Sequence, residues 1–419
     1  MHKPRLFYTM GLWLLLPYVF FHLLWRARKQ PEYLKHIAER FGFYSVRSNK
    51  PVIWLHTVSV GETRAAASLI NRLLESYPDH QLLLTHTTPT GRAASAQLYG
   101  DDVLRVYLPY DYPFAVRRFL SHFHPRAGVL LETEIWFNLI HACHTEKTPL
   151  LLLNARLSEK SATRYARYPN LVKSGLRELS AIAAQSSADA ERLTALGGQG
   201  ISIMGNLKFD IEPPPAMLEL GQKLLGQFGA DRKIFLAAST REGEEALLLD
   251  ALESVQIPGL LTVVVPRHPQ RFTDVEALIA HHGLRSQRRS ENRAIAPETQ
   301  VVLGDSMGEM FAYYAASDIA FIGGSLLPLG GQNLIEACAV GKPVLIGPHT
   351  YNFTQASQLA VEGGAAMRVQ DANELAQALH QLFSYPEGMA EMGDAGLRFV
   401  NNHRGATEQA LSLMAGFLG

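Results

Sequence analysis

Glu62 closes the stretch HTVSVGE, an apolar run that breaks at a small-residue turn just before a helical pattern. A carboxylate there can cap the helix by accepting its free N–H groups. The same rigid corner suits a general base, because taking a proton from a substrate hydroxyl demands accurate geometry. Spacing alone leaves both readings open. Glu132 and Glu134 stand at another strand end, in LLETEIWFN, with side chains on opposite faces if the strand continues. Lys208, in MGNLKFD, is a candidate partner for negative charge on a phosphate or a sugar carboxylate, and equally a solvated lysine ahead of a linker.

The second half carries features compatible with a phosphate. LGDSMGEM and FIGGSLLPLGGQNLIEACAVGKPVLIGP place glycines at strand ends and before a helical run starting near Asn333. Glycine lets the backbone approach closely, and free N–H groups at a helix start favour an anion. Neither stretch is a dinucleotide fingerprint or a Walker motif, so a sugar nucleotide or nucleoside phosphate fits better than NAD or ATP. Ser239 and Thr240 follow one strand. Arg267, His268 and Arg271 follow another, where an arginine fork can hold a phosphate or simply form a salt bridge. Glu336 lies one turn beyond Asn333, placed to accept sugar hydroxyls or to sit favourably near a positive helix end.

These residues need elements to hold them. Short apolar runs (PVIWLHTVS, HQLLLTHTT, AGVLLETEIW, TPLLLLNARL, LSAIAAQSS) alternate with helical patterns such as ETRAAASLINRLLESYP and TGRAASAQLYG. Such alternation predicts a parallel sheet covered on both faces, with ligands at the C-terminal ends of its strands. The pattern pauses at the prolines of IEPPPAMLEL and restarts with IFLAAST, LLTVVVPRH, VVLGDS, DIAFIGGS and KPVLIG. The expectation is an α/β chain with two doubly wound domains facing a cleft. Residues 31–210 form the first, 211–230 a linker, and 231–419 the second, whose final helix is a candidate to pack back on the first.

The chain has 419 residues, 47% of them hydrophobic, enough for more than one core. Lys plus Arg and Asp plus Glu balance at 39 each, so overall charge calls for no nucleic-acid partner. Cys143 and Cys338 lack redox or zinc spacing, and His141, His144, His281 and His282 lack accompanying ligands, so no metal site is expected. Residues 1–30 differ from the rest. Leu6–Leu24 carries no charge, is long enough to cross a bilayer, and is followed by Arg26, Arg28 and Lys29, which outweigh Lys3 and Arg5. A retained anchor with a cytoplasmic body is expected. The alternative is an apolar helix lying in the membrane interface or against the first domain.

Taken together, HTVSVGE, TPTGR, LPYD, ETEIW, GNLKFD, PRHPQR, GDSMGEM and GGSLLPLGGQNLIEACAVGKPVLIGPHTYNF match in order and spacing a known family. Over nearly its full length the chain resembles the Kdo (3-deoxy-D-manno-octulosonic acid) transferases of lipopolysaccharide synthesis, glycosyltransferase family 30. The resemblance implies a GT-B fold, an N-terminal membrane anchor in the bacterial inner membrane, CMP-Kdo as donor and the tetraacylated disaccharide-phosphate precursor of lipid A (lipid IVA) as acceptor. On that basis Glu62 matches the general base, and Glu132 and Lys208 match residues supporting the transition state. The nucleotide-binding segments map to Ser239, to Arg267 and His268, to Met307, Gly308 and Glu309, and to Asn333, Leu334, Ile335 and Glu336. Ala337–Cys338 departs from the Pro-Ala of many relatives, behind the binding residues.

The implied reaction is an inverting transfer without a metal or other cofactor, with protein cations and helix-start N–H groups stabilising the departing CMP. No obligate protein partner is evident. Arg26, Arg28, Lys29, Lys35, Arg40 and Arg47 are candidates to sit near the cytoplasmic leaflet and draw in the acceptor's phosphates, and equally to be only the positive flank that sets topology. The helix start is expected both to hold Glu62 and to lower its pKa. Two competing readings remain: another GT-B enzyme acting on a sugar nucleotide, and a membrane-tethered binding protein without catalysis. The full motif series and the presence of Glu62 argue against them.

Overall fold

The computed structural model describes residues 3–229 and 231–418; residues 1, 2, 230 and 419 of the expected anchor, linker and second domain lie outside the described residues. The chain divides into two compact units. Unit 1 comprises the residues up to Asp210 together with those from Arg404 onward, and unit 2 comprises Ile211–His403.

Unit 1 is built on a seven-stranded sheet of β1 (Val52–His56), β2 (Gln81–His86), β3 (Val103–Tyr107), β4 (Pro125–Leu131), β5 (Leu150–Ala155), β6 (Ala181–Ala184) and β7 (Ile201–Ile203). All pairings are parallel and the order is β3-β2-β1-β4-β5-β6-β7. The strands are apolar throughout because both faces are covered. Trp54 faces one core with Phe119, Phe123 and Ile140, while its neighbours Ile53 and Leu55 face the other with Leu69, Ile70 and Leu73. Gly128 on β4 leaves room for the Trp54 ring, which a Cβ there would meet at 2.4 Å. The strand order reverses between β1 and β4, and in open parallel sheets that reversal is where ligands bind.

Unit 2 repeats the plan with β8 (Lys233–Thr240), β9 (Leu260–Pro266), β10 (Ser286–Arg288), β11 (Val301–Leu303), β12 (Ile319–Ile322), β13 (Val344–Ile346) and β14 (Ala366–Arg368). These run parallel in the order β10-β11-β9-β8-β12-β13-β14. Two such sheets flanked by helices are the GT-B architecture.

Two expectations require correction, the linker and the place of Arg40. The stretch read as a linker is a helix, Pro215–Phe228, belonging to unit 2. Its prolines sit at the helix start, where a missing N–H costs nothing, and Leu224 and Phe228 are buried behind them. The final helix, Ala406–Leu418, the candidate to pack back on the first domain, belongs to unit 1, with Ala406, Ala410 and Met414 in the core beside Leu69 and Ile70. Arg40 does not face a membrane leaflet. It is buried at 3% exposure, donates to the Thr87 carbonyl at 3.0 Å and lies 4.0 Å over the Tyr107 ring.

Candidate active site

β1 ends at His56, and Ser59 caps the helix Val60–Ala65 that follows. Ser59 Oγ accepts the Glu62 N–H at 3.4 Å, the forward half of a capping box. The Glu62 carboxylate turns back, accepting the Val58 N–H at 2.6 Å and the Ser59 hydroxyl at 3.4 Å. Glu62 is therefore both a cap and a fixed carboxylate at the end of β1. The turn beneath it is braced by Thr63, whose hydroxyl donates to the Ser59 carbonyl at 2.9 Å and lies 3.0 Å from Thr57 Oγ1. Gly91, in the next strand-to-helix turn, packs so closely that a Cβ there would lie 3.1 Å from the Val58 carbonyl oxygen.

Burial, and then the charges of Glu132 and Glu134, raise the Glu62 pKa to about 7 against the lowering effect of its hydrogen bonds. This overturns the expected lowering by the helix start. Two donors at a helix start do not offset removal from water beside two like charges.

Glu132 and Glu134 do not lie on opposite faces of a continuing strand. β4 stops at Leu131, and Glu132 takes a left-handed conformation at φ +61. Such a conformation is costly for a non-glycine residue and recurs at functional sites. Glu132 Oε1 stands 3.4 Å from Lys208 Nζ. Glu134 accepts the Trp136 indole N–H at 2.6 Å, and burial raises its pKa. The residues following β1, those following β4 and the Leu207–Phe209 turn thus meet in unit 1, bringing Glu62, Glu132, Glu134 and Lys208 within electrostatic reach.

Three residues outside the expected set hold that turn. Asn154, itself left-handed at φ +52, accepts the Leu207 N–H at 3.1 Å through its side chain. Gln185 donates to the Asn154 carbonyl at 3.0 Å and accepts from the Asn206 amide at 3.1 Å. Their only sequence signal is a polar residue closing each of the runs LLLLN, AIAAQ and ISIMGN.

In unit 2 the expected binding residues lie at the C-terminal ends of β8, β9, β11 and β12. Ser239 is left-handed at φ +55. Arg241, Arg267 and Arg271 each depress the pKa of His268, after burial, which marks a cationic cluster. Arg271 is committed to a salt bridge with buried Glu245, at 2.8 Å. Glu309 accepts the Ser306 hydroxyl at 2.6 Å and lies 3.4 Å from Arg289, while Met307 is exposed and Gly308 has φ +84. Asn333 accepts the Ile335 N–H and donates to Glu336, both at 3.1 Å. Leu334 and Ile335 are buried.

The glycine-rich loop after β12 is held by a carboxylate that motif reading missed. Buried Glu244 accepts N–H groups from Gly324 at 2.5 Å and from Ser325 and Leu326 at 3.0 Å, besides that of Arg241 at 3.2 Å. Among the described residues, Asp250, Glu253 and His282 form a cluster with metal-like spacing, and none of them belongs to either set.

A family model described as 3-deoxy-D-manno-octulosonic-acid transferase (kdotransferase) matches residues 35–211. The chain is 40% identical to the 3-deoxy-D-manno-octulosonic acid transferase of Bordetella pertussis, covering 98% of this chain and 99% of the relative. It is 37% identical to the enzyme of that name from Haemophilus influenzae, with 99% of each covered. A solved glycosyltransferase from Rickettsia africae superposes with a TM-score of 0.60 at 16% identity, over 88% of this chain and 99% of that one, a likeness of fold. With near-complete coverage at this identity, the chain belongs to the 3-deoxy-D-manno-octulosonic acid (Kdo) transferase family.

Proposed function

We propose that the protein transfers Kdo from CMP-Kdo to lipid IVA at the cytoplasmic face of the bacterial inner membrane, with Glu62 as general base. The observation that carries this reading is the Glu62 carboxylate, fixed at the end of β1 with its pKa raised to about 7. A base so poised accepts a proton near neutrality yet remains partly ionised there.

The acceptor hydroxyl loses its proton to Glu62 as its oxygen bonds to the anomeric carbon of Kdo. The bond from that carbon to the phosphate oxygen breaks, and CMP leaves with the electron pair from the opposite face, inverting the centre. CMP is already a stable anion, so the departure needs charge stabilisation more than a proton. The unit 2 cluster of Arg241, Arg267 and His268 supports that role, and no metal is required. Lys208, paired with Glu132, is assigned to the charge developing around the reacting sugar.

Incubating the protein with CMP-Kdo and lipid IVA, and following CMP release together with Kdo-bearing lipid by mass spectrometry, tests the reading. Coupled formation of both products is expected. Turnover of another sugar nucleotide, or CMP release without modified lipid, overturns it.

A further inference from the structure

The N-terminal helix, Lys3–Lys29, is long and apolar enough to cross a membrane, yet one of its faces is already occupied. The Tyr8 hydroxyl donates to Asp111 at 2.8 Å, and the hydroxyl of buried Thr9 donates to Asn138 at 3.0 Å. Asp111 is fixed in turn by the N–H groups of Asn138 at 3.0 Å and Leu139 at 2.8 Å. One turn further on, the Tyr112 hydroxyl donates to the Leu12 carbonyl at 2.8 Å, and the Trp13 ring lies 5.1 Å from that of Tyr112. The stripe continues through half-buried Leu16 and Val19 to Leu23 and Ala27, which pack against Tyr33. Steps of three and four residues keep all of these on one side of the helix.

Among the described residues, the opposite side is largely exposed. Phe7, Leu14, Tyr18, Phe21 and Trp25 are each more than half exposed, and they repeat at helical spacing along its length. The apolar surface does not end with the helix. Trp13 also meets Phe114, and the exposed Arg118 on the same face of the helix Pro113–Phe123 lies over both Phe114 and exposed Phe43. Arg26, Arg28 and Arg117 are exposed around it. Aromatic and aliphatic side chains rimmed by arginines suit the boundary between acyl chains and anionic headgroups.

A helix that crosses the bilayer is surrounded by lipid and meets a cytoplasmic domain only at one end. This one is held to unit 1 by hydrogen bonds at residues 8, 9 and 12, in the N-terminal half of the apolar segment. We infer that the helix lies in the plane of the membrane, docked along unit 1 with its outer face in the anionic-lipid interface, so that both of its ends stay on the side of the catalytic units. This deepens the proposal above, since it rests on the reading that the acceptor is a membrane lipid.

Topology and depth together test it in the full-length protein. With an epitope added at the N-terminus and the protein in the membrane fraction, added protease is expected to remove the tag only after spheroplasts are lysed. Removal from intact spheroplasts overturns the inference, as does recovery of the protein in the soluble fraction. For depth, Phe7→Cys and Phe21→Cys change exposed side chains, and the native cysteines are buried, so spin labels report these sites alone. The two sites are about 21 Å apart along the helix. In vesicles of phosphatidylethanolamine and phosphatidylglycerol, in-plane docking places both labels within a few ångström of one depth, whereas crossing separates them by most of that distance. Kdo transfer in detergent micelles, measured on the same preparations, reports separately on the function.

Discussion

Lys208 Nζ stands 3.4 Å from Glu132 Oε1, each side chain about one-fifth exposed, and the pair joins a left-handed turn after β4 to the Leu207–Phe209 turn. Because both groups are partly shielded from water, their coupling should exceed that of a surface ion pair. In a double-mutant cycle of Lys208→Ala and Glu132→Gln on kcat, we expect a coupling of roughly 0.5–2 kcal/mol. Strictly additive effects show that the pair does not act as a unit.

Glu62→Gln keeps the shape and the Val58 contact while removing the base. The expected outcome is a fall in kcat of about 10²–10⁴-fold. CMP affinity by calorimetry and the melting temperature should change little. A folded variant with near-normal turnover removes Glu62 from the mechanism.

The raised Glu62 pKa has a visible consequence for pH dependence. Catalysis needs the carboxylate, so kcat/KM should fall as pH drops through about 7. The Glu134 anion raises the Glu62 pKa, so Glu134→Gln removes a like charge and the acidic limb moves to lower pH. The Gln side chain retains an acceptor for Trp136, which keeps the loop in place. A pH–rate profile of the two proteins decides the matter, and an unmoved limb assigns it to another group.

Glu244→Ala leaves the N–H groups of Gly324, Ser325 and Leu326 without their acceptor. Orphaning buried donors costs about 1–3 kcal/mol each, partly recovered by water, so the melting temperature should fall. CMP affinity should fall with it if the loop holds the nucleotide. Destabilisation with unchanged CMP affinity would separate Glu244 from donor binding.

Turnover with CMP-Kdo should be unchanged after dialysis against EDTA. Loss of activity restored by a divalent ion would place a metal in the reaction.

Much of this arrangement was legible in the sequence. Apolar runs such as VIWLH and LLLLN read directly as strands buried on both faces, and Glu62 and Glu132 follow the two strands between which the order reverses. What escaped depends on contacts between distant residues. Glu244 binds N–H groups 80 to 82 positions away. Gln185 reaches Asn154 because β5 and β6 are neighbours, although 31 residues separate them. The sign of the Glu62 shift was misjudged for the same reason. A helix start is visible locally, whereas burial beside Glu132 and Glu134 exists only after β1 and β4 are paired. The prolines at 213–215 looked like a break because helix-start and linker prolines are alike until Leu224 and Phe228 find a core.

Asp210 fastens the return of the chain to unit 1. Its side chain accepts the Gly405 N–H at 2.7 Å and the Thr407 N–H, and its carbonyl accepts the Ser68 hydroxyl. On the ribosome, unit 2 is therefore complete in sequence before unit 1 is. Until residues 404–418 emerge, the face of the first sheet that carries Leu69 and Ile70 lacks its covering helix and is open to chaperones and proteases. A chain truncated after His403 and released should expose the unit that carries Glu62 to protease and leave the other folded.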